Sequence, residues 1–144
     1  MSVSHILKSK GCDVVTVAPT ASVAAIAEIL ARRRIGAVIV SSDGERIAGI
    51  VSERDVVRVL AEKGAASLVL RADAIMSHPV KTCEEGDSEI EIMAMMTENR
   101  IRHLPVVAGG KLAGMISIGD VVKSRIEAIE REAAEMKAYI AGAA

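Results

Sequence analysis

Apolar residues in this chain follow two patterns in turn, short β-branched runs typical of strands and three-to-four-residue spacings typical of helices. In the first half such runs predict three strands, at 14–17, 37–40 and 47–51. Helical spacing predicts two helices there, one from Thr20 or Ser22 to about Arg34 and one from Glu53 to Lys63. An Asp-Gly pair within 42–45 predicts a hairpin turn between the second and third strands.

The same order of elements returns in the second half. Three strands are predicted there, at 80–83, 104–107 and 111–116. Two helices are predicted, one from Asp87 or Ser88 through Arg100 and one from Ile118 or Gly119 onward. A buried stripe is expected on the first of these helices, formed by Ile90, Ile92, Met93 and Met96. A lead-in helix at 6–10 and a connector with a helical turn at 72–76 precede the two halves.

The two halves align residue for residue, apart from one residue fewer in the second turn, and this indicates an internal duplication. One copy is too small to bury its own sheet, so the copies are expected to pack sheet to sheet about a pseudo-twofold axis. The predicted fold class is α+β (α/β-like), with two pseudo-symmetric β-α-β-β-α repeats and a long C-terminal helix. The predicted boundaries are a lead-in at 1–12, repeats at 13–71 and 72–126, and a helical extension at 127–144.

The last predicted helix runs on to about Ile140 and carries a long apolar stripe. The stripe comprises Val122, Ile126, Ile129, Ala133, Met136 and Ile140, and the opposite face is acidic. A solvated extension and a partner-packing helix both fit this pattern. Because the stripe continues over many turns, we favour packing against a partner in a homodimer.

Composition narrows the possible functions. The chain is 51% apolar but has one Tyr and neither Phe nor Trp, so its core must be aliphatic and stacking platforms for single-stranded nucleic acid are missing. The net charge of −1 gives no general attraction to nucleic acid or anionic lipid. Neither a membrane span nor a signal peptide is recognisable. Cys12 and Cys83 stand in no metal-binding spacing, so we expect free thiols, no metal site and a cytoplasmic location.

One stretch occurs in both halves, at Gly49–Asp55 and again at Gly114–Asp120. In each copy a strand ends at a Ser, a helix begins, and an Asp follows three residues after the Ser. Such a Ser and Asp can cap the helix. They can also take part in an anion site, because free N–H groups and the helix dipole favour a phosphate there.

These two Gly-h-h-Ser-x-x-Asp stretches make the chain resemble a tandem pair of CBS (cystathionine β-synthase) domains, over about residues 13–125. Ile75-Met76-Ser77 before 80–82 and the run 101–107 add to the resemblance. It implies a non-catalytic regulatory module that binds an adenine nucleotide, namely AMP, ADP, ATP, S-adenosylmethionine or an NAD-type ligand. It also implies a homodimer, with the Asp at the ribose hydroxyls, the Ser near the phosphate, and an effector protein of unknown identity as a further partner.

The resemblance further implies two clefts, each shared between the repeats. One would use Thr82, Ile101, Arg102, His103 and Pro105 with Ser52, Arg54 and Asp55. The other would use Thr16, Ile35, Gly36 and Ala37 with Ser117 and Asp120. The first has three candidate cations, in Arg54, Arg102 and His103, where the second has Gly119, Gly36 and Ala37. We therefore predict that the Asp55 cleft holds a phosphate more tightly than the Asp120 cleft.

Two other function classes compete with nucleotide sensing. A structural dimerisation module whose clefts bind no ligand fits the same fold. An enzyme does not fit, because the sequence offers no nucleophile beside a base, no carboxylate pair and no metal-ligand spacing.

Overall fold

A computed structural model describes residues 1–143 of the chain. Its helices are α1 (Val3–Lys10), α2 (Val23–Arg33), α3 (Glu53–Lys63), α4 (Ala72–Ile75), α5 (Glu89–Asn99) and α6 (Ile118–Ala143), with a 3-10 helix at Gly64–Val69. Its strands are β1 (Thr16–Val17), β2 (Ala37–Val40), β3 (Gly49–Ser52), β4 (Cys83–Glu84), β5 (His103–Ala108) and β6 (Lys111–Ser117). The predicted extension at 127–144 forms the end of α6, and Ala144 lies outside the described residues.

Each half forms a three-stranded sheet of the same topology. β1 pairs parallel with β2, which pairs antiparallel with β3, and β4, β5 and β6 repeat this arrangement. The register repeats as well, since Ala37 lies opposite Ser52 in one sheet and His103 opposite Ser117 in the other. The predicted α+β fold of two β-α-β-β-α repeats with a long C-terminal helix is therefore confirmed.

The first strand of each repeat is shorter than predicted. The parallel ladder contains only Thr16 and Val17 in one half, and Cys83 and Glu84 in the other. The apolar run therefore extends beyond the hydrogen-bonded strand. In the first half, Val14 and Val15 just before β1 line a cleft between the repeats.

The two hairpins turn in different ways. Asp43 organises the first, because its Oδ1 accepts hydrogen bonds from the backbone N–H groups of Glu45 at 2.8 Å and Arg46 at 2.9 Å. These bonds build a longer loop than the predicted turn, and β3 begins only at Gly49. The second is a two-residue turn in which Gly109 and Gly110 both have positive φ, at 59° and 77°. That conformation matches the twist of an antiparallel pair and strongly favours glycine.

The helix before each repeat packs on the core of the other repeat. Val3, Ile6 and Leu7 of α1 are buried with the second half, whereas Ala72 and Ile75 of α4 are buried with the first. Matching backbone hydrogen bonds fix both helices. Val3 N–H donates to Asp87 O at 2.9 Å, and Ala72 N–H donates to Ala21 O at 2.7 Å. The lead-in predicted as a separate segment at 1–12 thus supplies part of the second core.

The buried stripe of α5 is narrower than predicted. Ile92 and Met96 are buried, but Met93 is 37% exposed and Ile90 is 73% exposed. The buried residues recur four apart, on one side of the helix, because α5 covers a single sheet face. Among the described residues, no helix combines the length and apolar character needed to cross a bilayer.

Candidate functional site

Both strand-to-helix turns are capped in the same way. Asp55 Oδ2 accepts from Ser52 N–H at 2.9 Å, and Asp120 Oδ2 accepts from Ser117 N–H at 2.8 Å. In return each Ser Oγ accepts from the Asp backbone N–H, at 3.4 Å in the first half and 3.2 Å in the second. The helix-cap role is therefore present in both repeats, and the remaining contacts of the two carboxylates distinguish them.

Asp55 is held by Arg58 of its own helix and by Ser77, which follows α4. Asp55 is only 8% exposed. Its Oδ1 accepts hydrogen bonds from Ser77 Oγ and from an Arg58 Nη, each at 3.3 Å. Ser52 Oγ adds a contact to Oδ2 at 3.1 Å. Both carboxylate oxygens are thus engaged by protein donors, so a ligand would have to displace Ser77 or Arg58.

Asp120 is more open and contacts a residue from the N-terminal helix. Lys10 Nζ donates to its Oδ2 at 2.6 Å and also to Met115 O at 2.9 Å. Burial alone would raise the pKa of Asp120, but the hydrogen bonds from Lys10 and Ser117 outweigh it and hold that pKa below its usual value. The carboxylate is therefore ionised and ready to accept hydrogen bonds at neutral pH.

A cleft of about 310 Å³ opens beside Asp120, between the two repeats. Its lining combines α1 and the segment after it, the end of α2 with the start of β2, and the strands of the second half. The lining residues are Lys10, Asp13, Val14, Val15, Arg34, Ile35, Gly36, Ala37, His103, Met115, Ser117 and Asp120. The structure thus brings Ile35, Gly36 and Ala37 together with Ser117 and Asp120, while Thr16 pairs with Ile39 in the sheet and is not in this lining.

His103 lies in this Asp120 cleft, although the sequence placed it in the other one. Its ring covers Gly36, where an added Cβ would stand 2.8 Å from the ring Cε1 and 3.3 Å from Glu53 Oε1. The reason is the register of β5 and β6, since cross-strand partners point to the same face and His103 is opposite Ser117. Burial lowers the pKa of His103, and the nearby Glu53 carboxylate partly offsets that shift.

The other predicted cleft is only partly assembled around Asp55. Arg54 reaches the second half, where its Nη1 donates to Arg100 O at 3.5 Å, just before Ile101. Ile101 packs against the second core, and Arg102 is exposed. Thr82 precedes β4, and Pro105 is buried in β5 opposite Met115. Arg54 thus links α3 of the first repeat to the end of α5 in the second.

Two cations of the Asp120 cleft are not among the predicted site residues. The sequence indicates Arg34 mainly as a solvated helix end, with ligand contact as a lesser alternative, and Lys10 lies in a lead-in helix predicted as a segment separate from the repeats. A usable signal for Lys10 exists, since Ile6-Leu7 in α1 and Ile75-Met76 at the end of α4 occupy equivalent places. Arg34 ends α2 in the left-handed conformation, with φ at 54°, and Arg100 ends α5 in the same way, with φ at 53°. A non-glycine residue rarely adopts this conformation, and it carries Arg34 to the cleft.

Within residues 1–143, no group of three or more His, Cys, Asp or Glu side chains is positioned to hold a metal ion. Cys12 and Cys83 are both free; Cys12 is exposed, and burial raises the pKa of the Cys83 thiol to about 12.

Comparisons of the chain with known protein families and with known proteins agree on one family. The chain matches the model of the family "CBS domain" over residues 3–62 and 72–127. The mitochondrial CBS domain-containing protein CBSX3 of Arabidopsis thaliana is 35% identical over 117 residues, covering 78% of this chain. The chain spans only 57% of the length of that relative.

Solved structures agree in fold. A CBS-domain containing protein from Agrobacterium tumefaciens is 44% identical, with a TM-score of 0.84 over 87% of this chain and 99% of that one. A CBS domain protein from Pyrobaculum aerophilum, solved in complex with AMP, is 29% identical, with a TM-score of 0.73 over 83% of this chain and 89% of that one.

Proposed function

This chain belongs to the CBS-domain family, and from that premise we propose that it is a regulatory module that binds an adenine nucleotide in the cleft beside Asp120. The observation that carries the proposal is the grouping, around one open cleft, of Ser117 and Asp120 from one repeat with Ile35 to Ala37 from the other. The AMP complex of the Pyrobaculum aerophilum relative supports this ligand class.

The chemistry of the cleft suits each part of such a ligand. An ionised carboxylate accepts the two hydroxyls of a ribose, and Asp120 offers one at the cleft wall. Lys10 and Arg34 supply charge for a phosphate. Val15, Ile35 and other aliphatic side chains provide an apolar surface for the adenine ring. The volume of about 310 Å³ lies at the lower end of the roughly 300–1,000 Å³ typical of small-molecule sites.

The geometry argues for the reverse of the ranking predicted from the sequence. That ranking counted cations and assigned His103 to the Asp55 cleft, but His103, Lys10 and Arg34 all line the Asp120 cleft. Asp55 is also occupied by Ser77 and Arg58. We therefore propose the Asp120 cleft as the principal site and retain the Asp55 cleft as a weaker one.

Calorimetric titration of AMP into Asp120→Asn and Asp55→Asn proteins tests this proposal. Asp120→Asn keeps the side-chain shape but removes the charge, so we expect AMP affinity to fall about tenfold or more. Asp55→Asn changes a carboxylate already satisfied by protein donors, so its effect on affinity stays below about threefold. Circular dichroism confirms folding of both variants, because each loses part of a helix cap.

If Asp55→Asn lowered AMP affinity more than Asp120→Asn, the Asp55 cleft would be the tighter site, as predicted from the sequence. A wild-type protein whose unfolding midpoint is unchanged by millimolar AMP, ATP, NAD and S-adenosylmethionine would instead favour the structural dimerisation module.

We also propose a homodimer. The last helix of each repeat exposes apolar side chains, Val57 and Leu60 on α3, and Val122, Ile126 and Ile129 on α6. Val57 and Val122 occupy matching positions in the two repeats. A face present twice about a pseudo-twofold axis is suited to an isologous contact with a second copy, which would bury both helices. In this proposal ligand binding changes the conformation of the dimer, and an effector protein responds.

Replacing Ile126 by Asp tests the dimer. We expect wild-type protein to show twice the 15.1 kDa mass of one chain and Ile126→Asp to shift toward that single mass, because a buried unpaired carboxylate is costly. Light scattering after gel filtration measures the mass of both proteins in solution. Ile90→Asp, on the exposed side of α5, is the matched control and should remain dimeric. A monomeric wild type, or equal effects of the two substitutions, would contradict the proposed interface.

A further inference from the structure

We propose that Lys10 makes the Asp120 cleft selective for nucleosides that carry a phosphate, because a bound ribose displaces Lys10 from Asp120 and the phosphate provides its new partner. This inference rests on the function proposed above and adds to it the class of ligand that the cleft accepts.

Lys10 is placed at the cleft by a well-anchored helix. Ile6 and Leu7, one turn before it, are buried in the second core. Gly11 follows, with φ at 98°, and the chain then turns so that residues 13–15 line the same cleft. The backbone of Lys10 is thus fixed at the cleft wall, while its half-buried side chain can swing between partners.

The hydrogen bonds at Asp120 leave no room for both Lys10 and a ribose whose two hydroxyls donate one to each carboxylate oxygen. Oδ2 already accepts from Ser117 N–H at 2.8 Å and from Lys10 Nζ at 2.6 Å. A carboxylate oxygen accepts about two hydrogen bonds. A diol that donates to both oxygens therefore takes the position that Lys10 holds on Oδ2. The ammonium keeps its contact with Met115 O, but loses its anionic partner.

The Lys10 ammonium, once displaced from Asp120, determines which ligand binds more tightly. A charge left unpaired in a half-buried cleft is unfavourable, and Arg34 adds a second positive charge to the same wall. A phosphate beside the ribose pairs with both. Adenosine brings no anion, so its ribose contact is offset by the loss of the Lys10–Asp120 ion pair. The sulfonium of S-adenosylmethionine places a further positive charge beside the ribose.

The other repeat shows why this property belongs to one cleft. Met76 packs on Gly49 there as Leu7 packs on Gly114. The residue that reaches Asp55 from this segment is Ser77, through its neutral hydroxyl at 3.3 Å. Displacing this hydroxyl leaves no charge unpaired, and Arg58, the charged partner of Asp55, also has the Glu62 carboxylate 4.0 Å away. The selectivity therefore follows from Lys10 and not from the shared fold.

Titration of AMP and adenosine into wild-type, Lys10→Met and Lys8→Met proteins tests the inference. We expect wild type to bind AMP about tenfold or more tightly than adenosine, since a charged hydrogen bond separates the two. Lys10→Met should weaken AMP and strengthen adenosine, which reduces that preference to roughly threefold or less. Lys8→Met, on an exposed position of the same helix, should retain the wild-type preference.

Strengthened adenosine binding is the decisive result, because a lysine that only contacts phosphate would leave adenosine unchanged. Lys10→Gln gives the same comparison with a polar side chain if Lys10→Met is poorly folded. Equal changes for AMP and adenosine, or no change for either, would overturn the role of Lys10 and leave the proposed function intact. Absence of binding by both ligands to wild type would overturn this inference, and a further absence of binding by ATP, NAD and S-adenosylmethionine would overturn the proposed function as well.

Discussion

Replacing Gly49 by alanine is expected to destabilise the fold by about 2–3 kcal/mol, because there is no space for a Cβ at this position. The added atom would stand 2.6 Å from Met76 Cγ and 2.9 Å from Met76 Cβ. Met76 cannot retreat, since its N–H donates to Ala72 O at 2.8 Å and the adjacent Ser77 pairs with Ile50 through bonds of 2.9 and 3.1 Å. Urea unfolding followed by circular dichroism measures the loss.

Two further variants separate crowding from the general effect of replacing glycine. Gly86→Ala is the matched control, because an added Cβ there meets nothing within 4 Å, and its cost should stay within about 0.5 kcal/mol. In a Met76→Ala background, Gly49→Ala should cost less than it does in the wild type, because only the 2.9 Å contact with the Cβ of residue 76 remains. Equal costs for Gly49→Ala and Gly86→Ala would show that Met76 does not pack on β3.

Replacing Leu7 by alanine is expected to cost about 3 kcal/mol of folding free energy, because the change opens a cavity in a close-packed core. Leu7 is 3% exposed and packs among the buried side chains of the second half. Its Cδ2 would lie 2.8 Å from a Cβ at Gly114, so the side chain fills the space that this glycine leaves. Thermal or urea unfolding of the wild-type and Leu7→Ala proteins measures this loss of folding free energy.

Ile90→Ala is the control for this second prediction. Ile90 is also a large aliphatic residue of the second half, but it is 73% exposed, so we expect a change below about 0.5 kcal/mol. If α1 were a detached lead-in, Leu7→Ala would be as mild as Ile90→Ala.

The repeat architecture was predictable because local patterns determine it. Helices over 53–63 and 89–99 follow from their spacing and caps, and the first spans Glu53–Lys63 as predicted. Strand order follows from the duplication, since each half must fold in the same way. The resemblance to CBS domains, which depended on the two Gly-to-Asp stretches, is confirmed.

The differences between sequence and structure came from features that depend on distant contacts. The length of β1 is set by which residues pair with β2, and an apolar run does not contain that information. The position of His103 follows from its register with Ser117. Lys10 meets Asp120 across 110 residues of sequence, so no local pattern could reveal the pair. The exposure of Met93 likewise reflects which single face of α5 meets the sheet.

The exchange of α1 and α4 between the repeats has a consequence for folding during synthesis. α1 leaves the ribosome before both repeats, yet the residues that cover Val3, Ile6 and Leu7 lie between Cys83 and Val121. The helix therefore stays uncovered, with its apolar side chains open to solvent or to chaperones, until most of the chain has been made. The first repeat, whose α4 follows directly at 72–75, can complete its own core much earlier. The helix that precedes both repeats in the chain is thus among the last to be buried.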